Sequence, residues 1–214
     1  MNLTEELTTL EKAGYSESYP VTVADVKAQV RTMSDAEDEL LKDYIETSIE
    51  IAEDETLRAL VPTKYLLNLS RFPYYPVAAV RSGSYNRDNL EEELGIKLPR
   101  PMLQEIESFT YKDINGDEQT IAAEDYRVYN STNPAIFPLK GEVWPEASGD
   151  PNCIAITYTA DAPTIISKRV TRAIITMVAT FWRFRETHTT QEIKEMDGFM
   201  AIRNMLAKSR RYEW

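Results

Sequence analysis

Apolar residues recur at helical spacing towards both ends of the chain and at strand spacing between them. Over residues 35–58, Leu41, Ile45, Ser48, Ala52 and Thr56 fall on one stripe of a 3.6-residue period, and Ser34 and Glu37 have the spacing of a capping box. A shorter helix is predicted over 22–31, where Thr22 and Asp25 approximate the same device. Further on, Ile166, Val170, Ile174, Met177, Val178 and Phe181 predict a helix over 164–186. It is apolar on most sides, so it is expected at the centre of the packing. Phe199, Ile202 and Leu206 mark a last amphipathic helix over 195–208.

Between these helices, over 63–160, the period changes to two. Strand candidates are "TKYLLNLSRF", "GIKLP", a hairpin within 98–129, "DYRVY", "AIFPL" and "NCIAITYTA". The expected fold class is therefore α+β: a helical bundle of two N-terminal and two C-terminal helices with a small antiparallel β-sheet inserted. We expect one domain over 20–208, a polar and unpatterned arm over 1–19, and a tail over 209–214. Residues 71–95 read as an inserted loop with room for a helical turn at Asn89–Leu94. The loop carries Pro73, Pro76 and Gly83, and its aromatics Phe72, Tyr74, Tyr75 and Tyr85 either pin it down or meet a neighbouring subunit.

The Asp/Asn/Gly/Asp cluster in "YKDINGDEQT" admits two readings. Asp113, Asn115, Asp117 and Glu124 fall at positions 1, 3, 5 and 12 of a calcium-loop pattern. Gly116, however, stands at position 4, Glu118 occupies the position of the sharp turn, and the flanks alternate in strand period. A two-residue hairpin turn at Asn115-Gly116, with both residues at positive φ, explains more of the pattern. A metal-dependent enzyme built on those four residues is kept as a remote alternative.

The composition is that of a globular chain, with 43% hydrophobic and 28% charged residues in 214. A chain of this length buries about 70% of its unfolded surface. The most apolar run, Ala173–Trp182, is far shorter than the ~20 residues that cross a bilayer, so no membrane partner is expected. No secretory leader pattern precedes the single Cys153, which points to a reducing compartment.

The catalytic inventory is nearly empty. The single His188 lies in the polar linker "RETHTTQE" without a nucleophile nearby, and Cys153 sits in a strand pattern without an activating cation. One Cys and one His do not make a zinc site without several carboxylates, and with 7 Gly the chain has no phosphate-binding loop. No enzyme activity and no cofactor are expected.

Charge is more informative. The formal net charge of −11 opposes DNA phosphate at long range. Between Ser34 and Arg58, ten acidic residues face only Lys42 and Arg58. Asp35, Glu39, Asp43, Glu46, Glu50 and Glu53 form either a solvated face or a wall towards passing DNA. The chain end reverses the sign: Arg203, Lys208, Arg210 and Arg211 against Glu213 give +3, and Tyr212 and Trp214 add interface-type aromatics. This segment is expected to dock on an acidic partner surface.

The order of segments now carries more than any motif. "PVTVADVKAQVR" and "DAEDELLKDYIETSIEIAEDETLRALVP" come first, followed by the "LPRP" entry into the hairpin, "DYRV", "VWP", "AITYTAD", a long apolar helix and a closing "MLAKSRRYEW". Over residues 20–214 this order resembles the head-to-tail connector (adaptor) proteins of tailed bacteriophages and gene transfer agents. The resemblance implies a virion protein assembled in the host cytoplasm. It would form a homo-oligomeric ring of roughly twelve copies in the neck. Its implied partners are the portal protein on one side and a head-closure or tail protein on the other, with double-stranded DNA passing through without specific binding. A head-closure or tail-completion ring is the alternative within the same class. The 71–95 insertion and the polar "RETHTTQE" linker depart from the family pattern.

Overall fold

A computed structural model describes residues 5–12, 19–73, 94–131, 133–163, 166–185 and 197–210. The fold is α+β, as the periodicities indicate, but the chain divides into two compact units where the sequence suggests one domain. Met1–Lys12 and Thr63–Asp161 make a unit of strands, and Ala13–Pro62 and Ala162–Trp214 make a unit of helices.

The helical unit contains α1 (Val23–Val30), α2 (Asp38–Thr56), α3 (Lys168–Phe184) and α4 (Asp197–Ala207). At the start of α1 the capping box forms: the Thr22 hydroxyl accepts from the Asp25 amide at 3.3 Å, and the Asp25 carboxylate accepts from the Thr22 amide at 2.9 Å. The second predicted box does not. The Ser34 hydroxyl instead accepts from the Ala36 amide at 3.2 Å in a local turn, so α2 starts at Asp38, after an N-cap Glu37 that makes no capping bond. All five residues of the α2 stripe, Leu41 to Thr56, are buried. Across from them lie Val170, Ile174, Met177, Val178 and Phe181 of α3 and Phe199, Ile202 and Leu206 of α4. Phe181 meets Tyr44 and Phe199 with ring centroids 5.8 and 5.7 Å apart. As expected, α3 is the central element, packing on α1, α2 and α4.

The strand unit has a five-stranded antiparallel sheet in the order β1-β2-β8-β4-β5 and a three-stranded one in the order β3-β7-β6. The first contains β1 (Glu5–Lys12), β2 (Thr63–Leu69), β4 (Leu103–Lys112), β5 (Glu118–Thr120) and β8 (Ile154–Ala160); the second contains β3 (Ile96–Lys97), β6 (Tyr126–Tyr129) and β7 (Ala135–Pro138). The middle strands β2 and β8 alternate strictly, with Tyr65, Leu67 and Leu69 buried beside Ile156, Tyr158 and Ile154.

Strand β1 corrects the expectation of an arm over 1–19. Glu5–Lys12 pairs with β2 from Glu5↔Leu69 to Lys12↔Thr63. As an edge strand it is held by ladder hydrogen bonds, and Glu6, Thr8, Thr9, Leu10 and Glu11 are exposed, so it carries little hydrophobic period. Lys64 on β2 reaches Glu107 on β4 at 2.8 Å and Glu11 on β1 at 3.8 Å.

Phe72 is the second correction. It is not an exposed loop aromatic: it is buried, stacked on Trp144 with centroids 5.4 Å apart and planes 13° from parallel, and edge-on to Tyr111 at 5.5 Å. The Trp144 indole N–H donates to the Leu94 carbonyl at 2.7 Å. Tyr74, Tyr75, Tyr85 and residues 89–93 of the expected helical turn lie outside the described residues.

Candidate assembly surfaces

The cluster at residues 113–117 is a turn. The Gly116 amide donates to the Asp113 carbonyl and the Asp113 amide to the Asp117 carbonyl, both at 2.9 Å. Only Gly116 has positive φ, at +88°, whereas Asn115 does not. The loop is therefore three residues long, a turn closed by a left-handed glycine, in place of the two-residue turn expected. The Asp113 carboxylate braces it, accepting from the amides of Asn115 (2.8 Å) and Asp117 (3.1 Å) and from the Gln119 side chain (3.2 Å). The bond from the Asn115 backbone is the main cause holding this carboxyl below its ordinary range, against some desolvation. Glu124 lies apart, exposed in a 3-10 turn.

Among the described residues no group of three or more His, Cys, Asp or Glu is placed to hold a metal ion, and no helix is long and apolar enough to cross a membrane. Cys153 is buried with its thiol 3.3 Å from the Ser70 carbonyl. His188 lies outside the described residues.

On α2 the acidic residues separate into two groups. Glu39, Asp43, Glu50 and Asp54 are exposed and Glu46 is half-buried, following one another by three or four positions along the outer side of the helix. Glu39 pairs with Lys42 at 2.6 Å, and just before the helix Asp35 shares Lys27 with Asp38, each at 2.6 Å. Lys27 lowers the Asp35 carboxyl below its ordinary range. Glu53 does not belong to the outer stripe. It is buried, and its carboxylate accepts from the Leu60 amide at 2.6 Å. The Tyr19 phenol is pushed up to about 12, first by burial and then by Glu46, Glu53 and Glu50. Helical spacing alone permits either Glu53 or Asp54 to continue the stripe; the fold selects Asp54.

The basic residues separate in the same way. Arg203 is engaged inside the unit, its Nε donating to Glu55 at 2.6 Å. Lys208 and Arg210 are exposed, while Arg211, Tyr212 and Trp214 lie outside the described residues. Next to Lys208 and Arg210, Ser209 lines a cavity of about 250 Å³ together with Thr56, Arg58, Leu60, Ser167 and Val170. Exposed Lys168 and Arg169 follow Ser167, and half-exposed Arg58 lines the cavity itself. The side chains of these five cations form no ion pair among the described residues. Sequence reading joined only Lys208 and Arg210 to a docking role. A clue to the others was the start of α3, whose first turn carries two cations and no acid, against the preference set by the helix dipole.

No family model matches the sequence, and no curated protein is similar to it. Solved structures do match the fold. A chain in the virion of a native gene transfer agent (GTA) particle superposes with a TM-score of 0.63 at 16% identity, covering 97% of this chain and 96% of that one. A chain in the neck of an empty GTA particle, computed with C6 symmetry, gives 0.62 at 15% identity over 98% and 97% of the two chains. A chain in the neck of a native GTA particle, computed with C12 symmetry, gives 0.57 at 16% identity over 100% and 97%. What is shared is the fold. It extends over at least 96% of each chain.

Proposed function

We propose that this chain is a structural virion protein, the head-tail adaptor that forms a ring in the neck, joins the portal to the next neck or tail component and extends the DNA channel. The observation that carries the reading is the fold shared, end to end, with chains of GTA virion and neck structures. The C12 and C6 symmetries of the two necks support a closed ring of roughly twelve copies. The chemistry agrees with a channel component. A charge of −11 per copy, multiplied around a ring, keeps duplex DNA from adhering while it passes.

Particles from cells that express the tagged chain test this reading. Immunogold label and ring density are expected at the neck, and deletion of the gene is expected to leave heads without tails. Label elsewhere on the particle, or normal tailed particles after deletion, rejects it. Cross-linking separates the adaptor from a head-closure ring, because the adaptor is the one that touches the portal directly.

A further inference from the structure

We propose that the cationic end of the helical unit receives the acidic α2 stripe of a second copy, and that this contact is the heterologous interface that closes the ring. The inference rests on the ring reading above and names the two faces that meet.

The cationic face comes from three separate segments: Arg58 beyond the end of α2, Lys168 and Arg169 at the start of α3, and Lys208 and Arg210 at the end of α4. All five are exposed or half-exposed; Arg58 lines the cavity, the other four adjoin its lining residues Ser167 and Ser209 in the chain, and none has an ion-pair partner among the described residues. Elsewhere in the unit cations do find carboxylates: Lys27 pairs with Asp35 and Asp38, Arg185 with Glu37 and Arg203 with Glu55. Arg31, Arg172 and Arg183 also lack a carboxylate among the described residues, but Arg172 bonds Gln29 and Arg183 lies over the Phe184 ring, whereas the other five gather in three segments at one end. Two of them sit in the first turn of α3, where the helix dipole disfavours positive charge. An unfavourable placement repeated next to three more cations points to an anionic partner.

The complementary surface is on the same chain. Glu39, Asp43, Glu46, Glu50 and Asp54 run along the side of α2, whereas Arg58 lies beyond its C-terminal end. Both surfaces sit on packed elements of one unit, so a copy cannot fold its cationic end onto the length of its own stripe. A second copy can offer it. Two different faces meeting between identical subunits is the arrangement that generates rings. Two copies at −11 repel at long range, but at physiological salt that repulsion is screened beyond about 8 Å, and the local pairing of opposite signs decides the contact. This assigns the α2 stripe to the subunit interface and not to the channel wall.

A charge-swap experiment on the full chain tests it. One variant carries Lys168→Glu, Arg169→Glu and Arg210→Glu, and the other carries Glu39→Lys, Asp43→Lys and Glu50→Lys. Sedimentation velocity at low ionic strength is expected to show each variant alone as a monomer. The equimolar mixture is expected to associate roughly tenfold or more tightly than either variant with itself, and to dissociate as salt is added. Circular dichroism melting checks folding, and should a triple variant not fold, Arg169→Glu and Asp43→Lys are mixed instead. A mixture that associates no better than its components overturns the proposal. So does duplex DNA that binds the wild type and is released by the first set of substitutions, which would make the cluster a nucleic-acid site. Location in the particle is read separately, by neck imaging, so a failed swap with label at the neck leaves the adaptor reading in place.

Discussion

The buried carboxylate of Glu53 accepts the backbone N–H of Leu60, seven residues on, at 2.6 Å. Helix α2 stops at Leu57, which takes left-handed φ of 55°, and the chain then has to satisfy its amides while turning away. Glu53→Ala leaves the Leu60 amide buried without this acceptor and is expected to lower stability by about 1–3 kcal/mol in urea unfolding. Glu53→Gln retains an acceptor oxygen and should recover most of that. Asp43→Ala on the exposed stripe should stay within about 0.5 kcal/mol of wild type. Equal effects for the Glu53 and Asp43 truncations would mean that the Leu60 bond contributes nothing.

Phe72 and Trp144 make a comparable test in the strand unit. Their rings stack at 5.4 Å, with Phe109 and Tyr111 around them. Removing a buried ring of this kind typically costs about 3–5 kcal/mol, and Phe72→Ala is expected in that range by thermal or denaturant unfolding. An unchanged melting temperature combined with failed ring assembly would restore the interface role that the loop composition suggests.

How much of this was legible in the sequence depended on whether one chain segment carried the signal alone. The α2 stripe from Leu41 to Thr56 and the α3 positions from Val170 to Phe181 were readable because burial against a single core imposes a 3.6-residue period on each helix. Strand β1 was not, since an edge strand is defined by its partner's backbone and its exposed Thr8, Thr9 and Glu11 obey no alternation. Ser34 and Glu37 had the right spacing for a cap but were outcompeted by a local Ser34–Ala36 turn. The cationic end was hidden for a different reason. Arg58, Lys168 and Lys208 are separated by over a hundred residues and about forty, and only the fold brings the segments that carry them to one cavity.

At the hairpin, Gly116 combines a φ of +88° with open space where a Cβ would stand. Substitution there strains the backbone without a clash. Gly116→Val is expected to cost about 1–3 kcal/mol, and Gly116→Asn less, because Asn tolerates the left-handed region. Chemical denaturation of the two variants gives the order; a Val variant as stable as Asn would contradict it.

The Asp113 carboxyl gives the same turn a pH dependence. Its folded value lies below the ordinary 3.8, chiefly because the Asn115 amide donates to the ionised form. A depressed folded value means that the stabilisation is complete above the unfolded value and is lost as pH falls through the folded one. The stability difference between wild type and Asp113→Asn should therefore be constant at neutral pH and shrink on acidification below the ordinary carboxyl range. The same variant tests for calcium: calorimetric titration should show no stoichiometric binding to lose. A difference that grows on acidification, or tight calcium binding abolished by the substitution, contradicts the turn-brace role.

The chain end poses the most consequential test of assembly. Leu206 is the last buried residue in the described part of α4, and the Arg203–Glu55 pair, one turn earlier, also anchors that helix. Deleting residues 211–214 removes Arg211, Tyr212 and Trp214 and leaves both of those contacts, along with Lys208 and Arg210, in place. The melting temperature should therefore not change. Arg, Tyr and Trp are the side chains that most often dominate binding energy at interfaces, and here three of them lie within four residues next to exposed cations. Incorporation into portal-bearing heads, measured by immunoblot of purified particles, is expected to fall at least tenfold for the truncated chain, a loss of about 1.4 kcal/mol or more in docking free energy. Full incorporation would make the four residues dispensable and confine docking to the folded surfaces. A lowered melting temperature would instead mean that the segment folds back on its own helical unit, the outcome in which its charge serves stability and not assembly.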